Sequence, residues 1–197
     1  MRVILGIGNI GIRYQLNRHN AGFLVLDYFA QNHSIKFKEA KGDYYFCEGV
    51  LNQANYFLVK PGNYVNNTGV AALQFFEKYK IDLSDLLVVC DDVNLDMGKL
   101  RVRKSGGDGG HNGLSSLIYH LNSSEFPRLR VGIGSDFNKG ELSSYVLEDF
   151  SKDETKILNK VLKDSSLLVE EFINGGIEAL LNANSKLYNN DPSTEIK

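Results

Sequence analysis

Apolar and polar positions along the chain follow two patterns, which predict short strands and amphipathic helices. The most continuous apolar run, residues 86–90, predicts a central strand that is buried on both faces, as in a sheet covered by helices. Shorter apolar or alternating runs that end at turn residues predict further strands. These runs span residues 3–5, 43–47, 55–59, 99–103 and 129–133.

Apolar residues that recur every three or four positions predict helices between and after these strands. Asn20 is a typical capping residue, so we expect it to cap the first helix. In the last helical pattern, the adjacent glycines Gly175 and Gly176 are expected to introduce a break. The predicted helices span residues 20–31, a segment from Asn66 or Thr68 to about 79, residues 112–121 and residues 153–183.

Strands mixed with helices along the whole sequence predict an α/β fold with a twisted mixed sheet flanked by helices. A length of 197 residues favours one domain of ordinary size. We place this domain at residues 1–188 and expect residues 189–197 to form a flexible C-terminal tail.

The composition, with 43% hydrophobic and 23% charged residues, is that of a globular fold rather than a disordered chain. No apolar run approaches the ~20 residues that a membrane-spanning helix needs, and the first residues lack the pattern of a signal peptide. The two cysteines, Cys47 and Cys90, give neither a disulfide framework nor a metal-ligand spacing. Together these features favour a cytoplasmic protein that does not contact membranes.

The charge is unevenly distributed, although the net charge of −2 does not by itself indicate a nucleic-acid-binding protein. Basic residues are concentrated in residues 99–104, and a second basic pair follows at Arg128 and Arg130. Such a local basic face can bind a phosphate backbone. It can equally be the solvated face of a strand, and charge alone favours that second interpretation.

Residues 6–11 match the Gly-x-Gly-x-x-Gly pattern of dinucleotide-dependent oxidoreductases, directly after a predicted strand. That pattern should lead straight into a helix, but the polar segment 13–20 follows instead. The required acidic residue should follow a second strand, whereas Asp27 lies within the predicted first helix. We therefore expect no nucleotide cofactor. The glycines would instead allow a sharp backbone turn that presents Asn9 and His19 to one cleft.

Polar side chains that could take part in catalysis or binding lie at the ends of predicted strands or in the loops between elements. In an open α/β sheet, sites form beyond the carboxyl ends of the strands, so these groups could converge. They are Asn9 and His19, Tyr64 and Asn66, Asp91 and Asp92, and His111 and Asn112.

A histidine with a carboxylate partner can activate water as a general base. The amides of Asn66 and Asn112 can donate hydrogen bonds to a carbonyl or to a developing oxyanion. This set suits the hydrolysis of an ester, and the sequence contains neither a Gly-x-Ser-x-Gly nucleophile motif nor a zinc-ligand spacing. Taken singly, however, each asparagine is more readily explained as a turn or cap residue, and each histidine as a structural residue.

Five segments of the sequence contain most of these polar and glycine residues. They are residues 6–14 (GIGNIGIRY) with 17–22 (NRHNAG), 60–69 (KPGNYVNNTG), 91–95 (DDVNL) with Gly98, 106–114 (GGDGGHNGL) and 128–134 (RLRVGIG). Together they resemble bacterial-type peptidyl-tRNA hydrolase, in the order and with the gaps of that family. Each segment alone is a weak signal, whereas five in order are highly specific.

The resemblance implies a monomeric single-domain enzyme without a cofactor, a metal or an obligate protein partner. Its substrate would be peptidyl-tRNA, from which it would release free peptide and tRNA by cutting the ester bond. His19 would be the general base, held in its basic form by Asp91, and Asn9 would recognise the peptide and reject unblocked aminoacyl-tRNA. The further substrate contacts would be Tyr14, Tyr64, Asn66 and Asn112 near the ester, with Arg101, Arg103, Arg128 and Arg130 as candidates for phosphate contacts.

The sequence departs from the family pattern at Ile10, which replaces the usual proline of the first loop and so removes a fixed φ angle. Val65 and Asn94 replace a common methionine and a common acid. We expect these changes to alter loop rigidity rather than chemistry. An alternative function on the same scaffold is a non-catalytic RNA-binding protein. The intact set of His19, Asp91 and Asn66 argues against it, as does the lack of a transit-peptide pattern.

Overall fold

One mixed sheet of seven strands organises the computed structural model, which describes residues 1–189, with side chains to residue 187. The strands are β1 (Arg2–Gly6), β2 (Lys38–Glu39), β3 (Tyr44–Leu51), β4 (Ala54–Pro61), β5 (Leu86–Asp92), β6 (Leu100–Arg103) and β7 (Arg128–Gly132). Their order in the sheet is β2-β3-β4-β1-β5-β7-β6. The central strands β4, β1, β5 and β7 are parallel, and β2, β3 and β6 join antiparallel. The predicted α/β fold with a mixed sheet is confirmed.

Helices cover both faces of this sheet, as the continuous apolar run of β5 predicted. The helices are α1 (Ala21–Asn32), α2 (Thr68–Tyr79), α3 (Asn112–Leu121), α4 (Leu142–Leu147) and α5 (Lys152–Asn189). Apolar residues of α1 and α5 form one hydrophobic cluster with the sheet, and those of α2 and α3 form a second cluster. The sheet is therefore the middle of three layers.

Strand β5 is buried along its whole length because it lies between β1 and β7. Its side chains alternate between the two layers, so that Leu87 packs in the cluster with α1 and Val88 in the cluster with α2. The strand ends in Asp91 and Asp92. Parallel neighbours on both sides thus hold these two carboxylates at the carboxyl edge of the sheet.

Helix α1 starts in direct contact with the sheet at Gly22. A Cβ atom at this position would lie 2.4 Å from the Val89 carbonyl oxygen and 2.5 Å from both the nitrogen and the oxygen of Ile7. Only glycine allows so close an approach of two backbones. The contact fixes the 3-10 turn 18–20, which precedes α1, at the end of β5.

Two sequence predictions at helix boundaries had opposite outcomes. Asn20 precedes α1, but its side chain makes no capping hydrogen bond, so that prediction is wrong; its amide bonds the loop after β1 instead. Gly176 has a non-helical backbone (φ 68°, ψ −157°), which confirms the predicted break in the last helix. The tail predicted at residues 189–197 lies outside the described residues, apart from Asn189 at the end of α5. Within residues 1–189, none of the helices combines the length and the apolar character needed to cross a membrane.

Candidate active site

His19 and Asp91 meet at the carboxyl edge of the sheet. His19 lies in the turn 18–20, and its Nδ1 atom is 2.9 Å from Oδ1 of Asp91. The two side chains are only 12% and 3% exposed. A carboxylate at Nδ1 orients the ring and keeps the proton on that nitrogen, which leaves Nε2 as the basic atom.

The surroundings of His19 raise its pKa above the ordinary value of 6.5. Burial is the largest single effect and lowers this pKa, but the charge of Asp91 and the hydrogen bond to it together raise it by more. Burial also disfavours the charged form of Asp91 and so raises its pKa. The charges and hydrogen bonds of His111 and His19 nevertheless hold that pKa far below its usual range. Asp91 is therefore an anion at neutral pH, as the orienting partner of a histidine base must be.

A second histidine, His111, contacts the same oxygen of Asp91. Its Nε2 atom is 3.1 Å from Asp91 Oδ1, while its Nδ1 atom accepts the backbone N–H groups of Gly113 (3.1 Å) and Leu114 (3.4 Å). Because an imidazole nitrogen that accepts a hydrogen bond carries no proton, the proton of neutral His111 lies on Nε2 and is donated to Asp91. His111 thus caps α3 and holds Asp91 at once, a role that the sequence did not assign to it.

His19, Asp91 and His111 also form a candidate metal cluster within the described part of the chain, with ligand atoms that all lie within 4.8 Å of one another. Two histidines and a carboxylate are a common ligand set for zinc. To bind a metal through Nε2, however, His111 would have to move its proton to Nδ1 and lose the cap of α3. The hydrogen bonds therefore fit a proton-transfer site better than a metal site.

A cavity of about 120 Å³ opens beside His19 and Asp91. Asn112, Arg130 and residues of α4 form part of its wall. The Arg130 Nε atom also lies 3.1 Å from Oδ2 of Asp92, so this arginine is fixed by a buried carboxylate. The structure thus brings together four of the predicted site residues: His19, Asp91, Asn112 and Arg130.

Asn9 lies outside the wall of this cavity and connects the loops around it. Its backbone N–H donates to the Asn20 side chain (2.7 Å), and the Asn20 amide donates back to the Asn9 carbonyl (3.0 Å). The side-chain oxygen of Asn9 accepts the backbone N–H of Val65 at 3.0 Å. Within residues 1–187, the Nδ2 group of Asn9 has no protein partner. It is therefore available to a ligand.

Tyr14 and Tyr64 form an edge-to-face pair on the loops that follow β1 and β4, with ring centroids 6.2 Å apart. Tyr64 is 50% exposed, and Asn66 in the next turn is also exposed. Like Asn9, these residues are not part of the cavity wall that the described residues form. Tyr64 and Asn66 flank Val65, whose backbone N–H is bound by the Asn9 side chain.

The family model described as peptidyl-tRNA hydrolase matches residues 3–192. The chain belongs to the peptidyl-tRNA hydrolase family. The match covers all five of the segments on which the resemblance was based.

Relatives within the peptidyl-tRNA hydrolase family agree over almost the whole chain. A peptidyl-tRNA hydrolase of Clostridium botulinum (strain Hall) is 40% identical over 92% of this chain and 95% of its own length. One from an Exiguobacterium species is 40% identical over 92% of this chain and 98% of its own. The crystal structure of peptidyl-tRNA hydrolase from Acinetobacter baumannii superposes with a TM-score of 0.88, at 29% identity, over 93% of this chain and 94% of that one.

In this member of the peptidyl-tRNA hydrolase family, the four arginines predicted to contact phosphates lie on paired strands. Arg101 is opposite Arg130, and Arg103 is opposite Arg128, so all four side chains start from the same face of the sheet. Arg128 differs from the others, because it is 2% exposed and donates to the carbonyl oxygens of residues 106, 107 and 124. It holds the glycine-rich segment 106–110, the glycine loop, through these backbone bonds and is not accessible to a phosphate group.

Proposed function

We propose that the protein hydrolyses the ester bond of peptidyl-tRNA and releases free peptide and tRNA. The observation that carries this proposal is the hydrogen bond between His19 and Asp91 at the cavity, in a chain of the peptidyl-tRNA hydrolase family. The pair supplies the general base that hydrolysis needs, and the cavity beside it can receive the ester.

The reaction follows from the orientation of His19. Its Nε2 atom takes a proton from water while the water oxygen attacks the carbonyl carbon of the ester. Asp91 stabilises the imidazolium that forms. The tetrahedral intermediate then collapses, the bond to the 3′ ribose oxygen breaks, and the imidazolium returns its proton to that oxygen. An alkoxide leaves more readily than an amine, so this pair suits an ester.

Amide and aromatic groups around the cavity fit the proposed substrate contacts. Asn112 lines the cavity and can donate to the carbonyl oxygen as charge develops on it. Asn9 has an unused Nδ2 donor that can bind a peptide carbonyl, which would favour a blocked amino acid over a free one. We assign the remaining contacts near the ester to Tyr14, Tyr64 and Asn66.

We assign phosphate contacts to Arg101, Arg103 and Arg130 and exclude the buried Arg128. Arg103 is exposed and Arg101 half-buried, and both lie on β6 beside Arg130, which lines the cavity. A basic strand next to the cavity suits the backbone of a nucleic acid whose end is bound there.

The phosphate contact is expected to appear in the salt dependence of tRNA binding. The logarithm of the association constant for tRNA falls linearly with the logarithm of the salt concentration. Arg103→Gln should make this slope less steep by about one, because one fewer counterion is released. Lys163→Gln is the matched control, since Lys163 is exposed on α5, which covers the other face of the sheet. Titration of deacylated tRNA at several salt concentrations measures both slopes. Equal slopes for the two variants would remove Arg103 from the phosphate contacts.

We further propose that the protein acts as a monomer in the cytoplasm, without a cofactor and without an obligate protein partner. The composition supports this setting, since the two cysteines form no disulfide framework. The resemblance to bacterial-type peptidyl-tRNA hydrolase supports the monomer.

The function is tested by comparing N-acetyl-aminoacyl-tRNA with free aminoacyl-tRNA as substrates. We expect rapid release of tRNA from the blocked substrate only, because Asn9 and the loops around it select a peptide carbonyl. If the folded protein binds tRNA but cleaves neither substrate, the hydrolase proposal fails and the RNA-binding alternative is favoured.

A further inference from the structure

Arg18 is a buried cation directly before His19, and the proposed reaction does not use it. Its side chain is 8% exposed, and its guanidinium bonds both carboxylate oxygens of Glu154 at 2.9 to 3.3 Å. Glu148 lies 3.5 Å away on the surface. Burying a charge is costly unless it is paired and hydrogen-bonded. Such an arrangement needs a reason beyond solubility.

The contacts of Arg18 join the turn that carries His19 to helix α4. The guanidinium donates to the Tyr145 carbonyl at 3.3 Å and lies 4.3 Å from the centre of the Tyr145 ring. The backbone N–H of Arg18 also donates to the Glu148 carbonyl, just after α4, at 3.0 Å. One residue thus binds α4 through its side chain and the following segment through its backbone.

Helix α4 is part of the active-site wall but cannot hold its own position. Leu142, Ser143 and Val146 of this helix line the cavity that contains His19 and Asp91. A helix of six residues is far below the ~12–15 residues needed for marginal stability in water, so its place depends on tertiary contacts. A further polar anchor of this helix is the Tyr145 hydroxyl, which donates to the carbonyl of Ile133, directly after β7, at 2.6 Å.

We propose that Arg18 is a positioning residue, which with Glu154 fixes the α4 wall of the cavity relative to His19. The inference rests on the proposed hydrolase function. Displacement of one wall by about 1 Å would misplace the ester relative to Nε2 of His19, and errors of that size can cost up to about 10²-fold in rate. Arg18 acts through α4 and does not touch the reacting atoms.

Three variants test this proposal. Arg18→Lys keeps the charge but loses the paired bonds to Glu154, and Glu154→Gln keeps the shape of the partner but loses its charge. Arg2→Lys is the matched control, because Arg2 is half-buried, pairs with Asp85 and lies 5.5 Å from the ring centre of Phe172. Arg2 is the first residue of β1, at the amino ends of the parallel strands, whereas the cavity lies at their carboxyl ends.

Three quantities are measured on each variant well below its unfolding temperature. They are kcat on N-acetyl-aminoacyl-tRNA, the dissociation constant of deacylated tRNA and amide hydrogen exchange. For Arg18→Lys and Glu154→Gln we expect kcat to fall about 10-fold with tRNA affinity unchanged. Exchange in residues 142–150 should accelerate at least about 10-fold while β5 keeps its protection.

The proposal is overturned if either folded variant keeps wild-type kcat and wild-type exchange in residues 142–150. It is also overturned if Arg2→Lys lowers kcat as much as Arg18→Lys, because the effect would then be one of general stability. If Arg18→Lys does not fold, Glu154→Gln decides the outcome. Absence of hydrolysis by the wild type would instead reject the proposed function, and the exchange data would still report whether Arg18 holds α4.

Discussion

Replacing His19 with alanine is expected to lower kcat for N-acetyl-aminoacyl-tRNA by at least about 10²-fold, because general-base catalysis by a positioned side chain contributes at least that much. The affinity for deacylated tRNA should stay nearly unchanged, since the phosphate contacts that we propose for tRNA lie on β6 and β7 and do not include His19. Single-turnover hydrolysis combined with a tRNA titration separates the two effects.

His19→Asn is the sharper variant for this prediction. The asparagine Nδ2 group can replace Nδ1 as the donor to Asp91, so the buried carboxylate keeps its partner, but no basic nitrogen remains. We expect His19→Asn to be as inactive as His19→Ala and more stable. If His19→Asn retains near-normal turnover, the base is another group, and the proposed mechanism is wrong.

Replacing Asp91 with asparagine is expected to lower kcat by at least about 10²-fold and to change its pH dependence, because the imidazolium loses its counterion. His19 must be neutral to act as a base, so wild-type kcat rises with pH through the raised pKa of His19. Without the charge of Asp91, burial remains as the main effect and lowers that pKa. The acid limb of the profile should therefore move to lower pH.

Asp92→Asn is the control for this shift, since Asp92 carries the same charge one residue away but pairs with Arg130 rather than with His19. The profile of kcat against pH is measured under saturating substrate for both variants and the wild type. The midpoint should move only in Asp91→Asn. An unmoved midpoint in that variant would show that the carboxylate does not set the basicity of the catalytic group.

Much of the fold could be predicted from the sequence because local patterns determine it. The continuous apolar run of β5 indicated a strand covered on both faces, and the strand is indeed buried throughout. The position of Asp91 directly after that run placed it at the carboxyl edge, where His19 meets it. The glycine break at Gly176 was likewise visible, because its backbone conformation is one that other residues avoid.

The remaining features depend on contacts between distant segments. Asn20 has the residue type of a helix cap, but the loop after β1 competes successfully for its amide. Arg128 matches a basic strand, yet the glycine loop folds over it. Helix α4 is too short for a periodic signal.

The role of His111 was also missed. Its place directly before a predicted helix was a signal, because a side chain there can accept from the first free N–H groups. Which nitrogen accepts, and that the other reaches Asp91, follow only from the tertiary structure.

The single oxygen of Asp91 that serves both His19 and His111 constrains how this site can evolve. A substitution of either histidine alters the environment of the buried carboxylate and therefore the contribution of the other histidine to activity. The effects of the two substitutions on kcat should therefore not add. Substitutions acceptable in one genetic background would then be harmful in another. Drift at these three positions would have to be concerted, whereas exposed residues such as Arg103 can change independently.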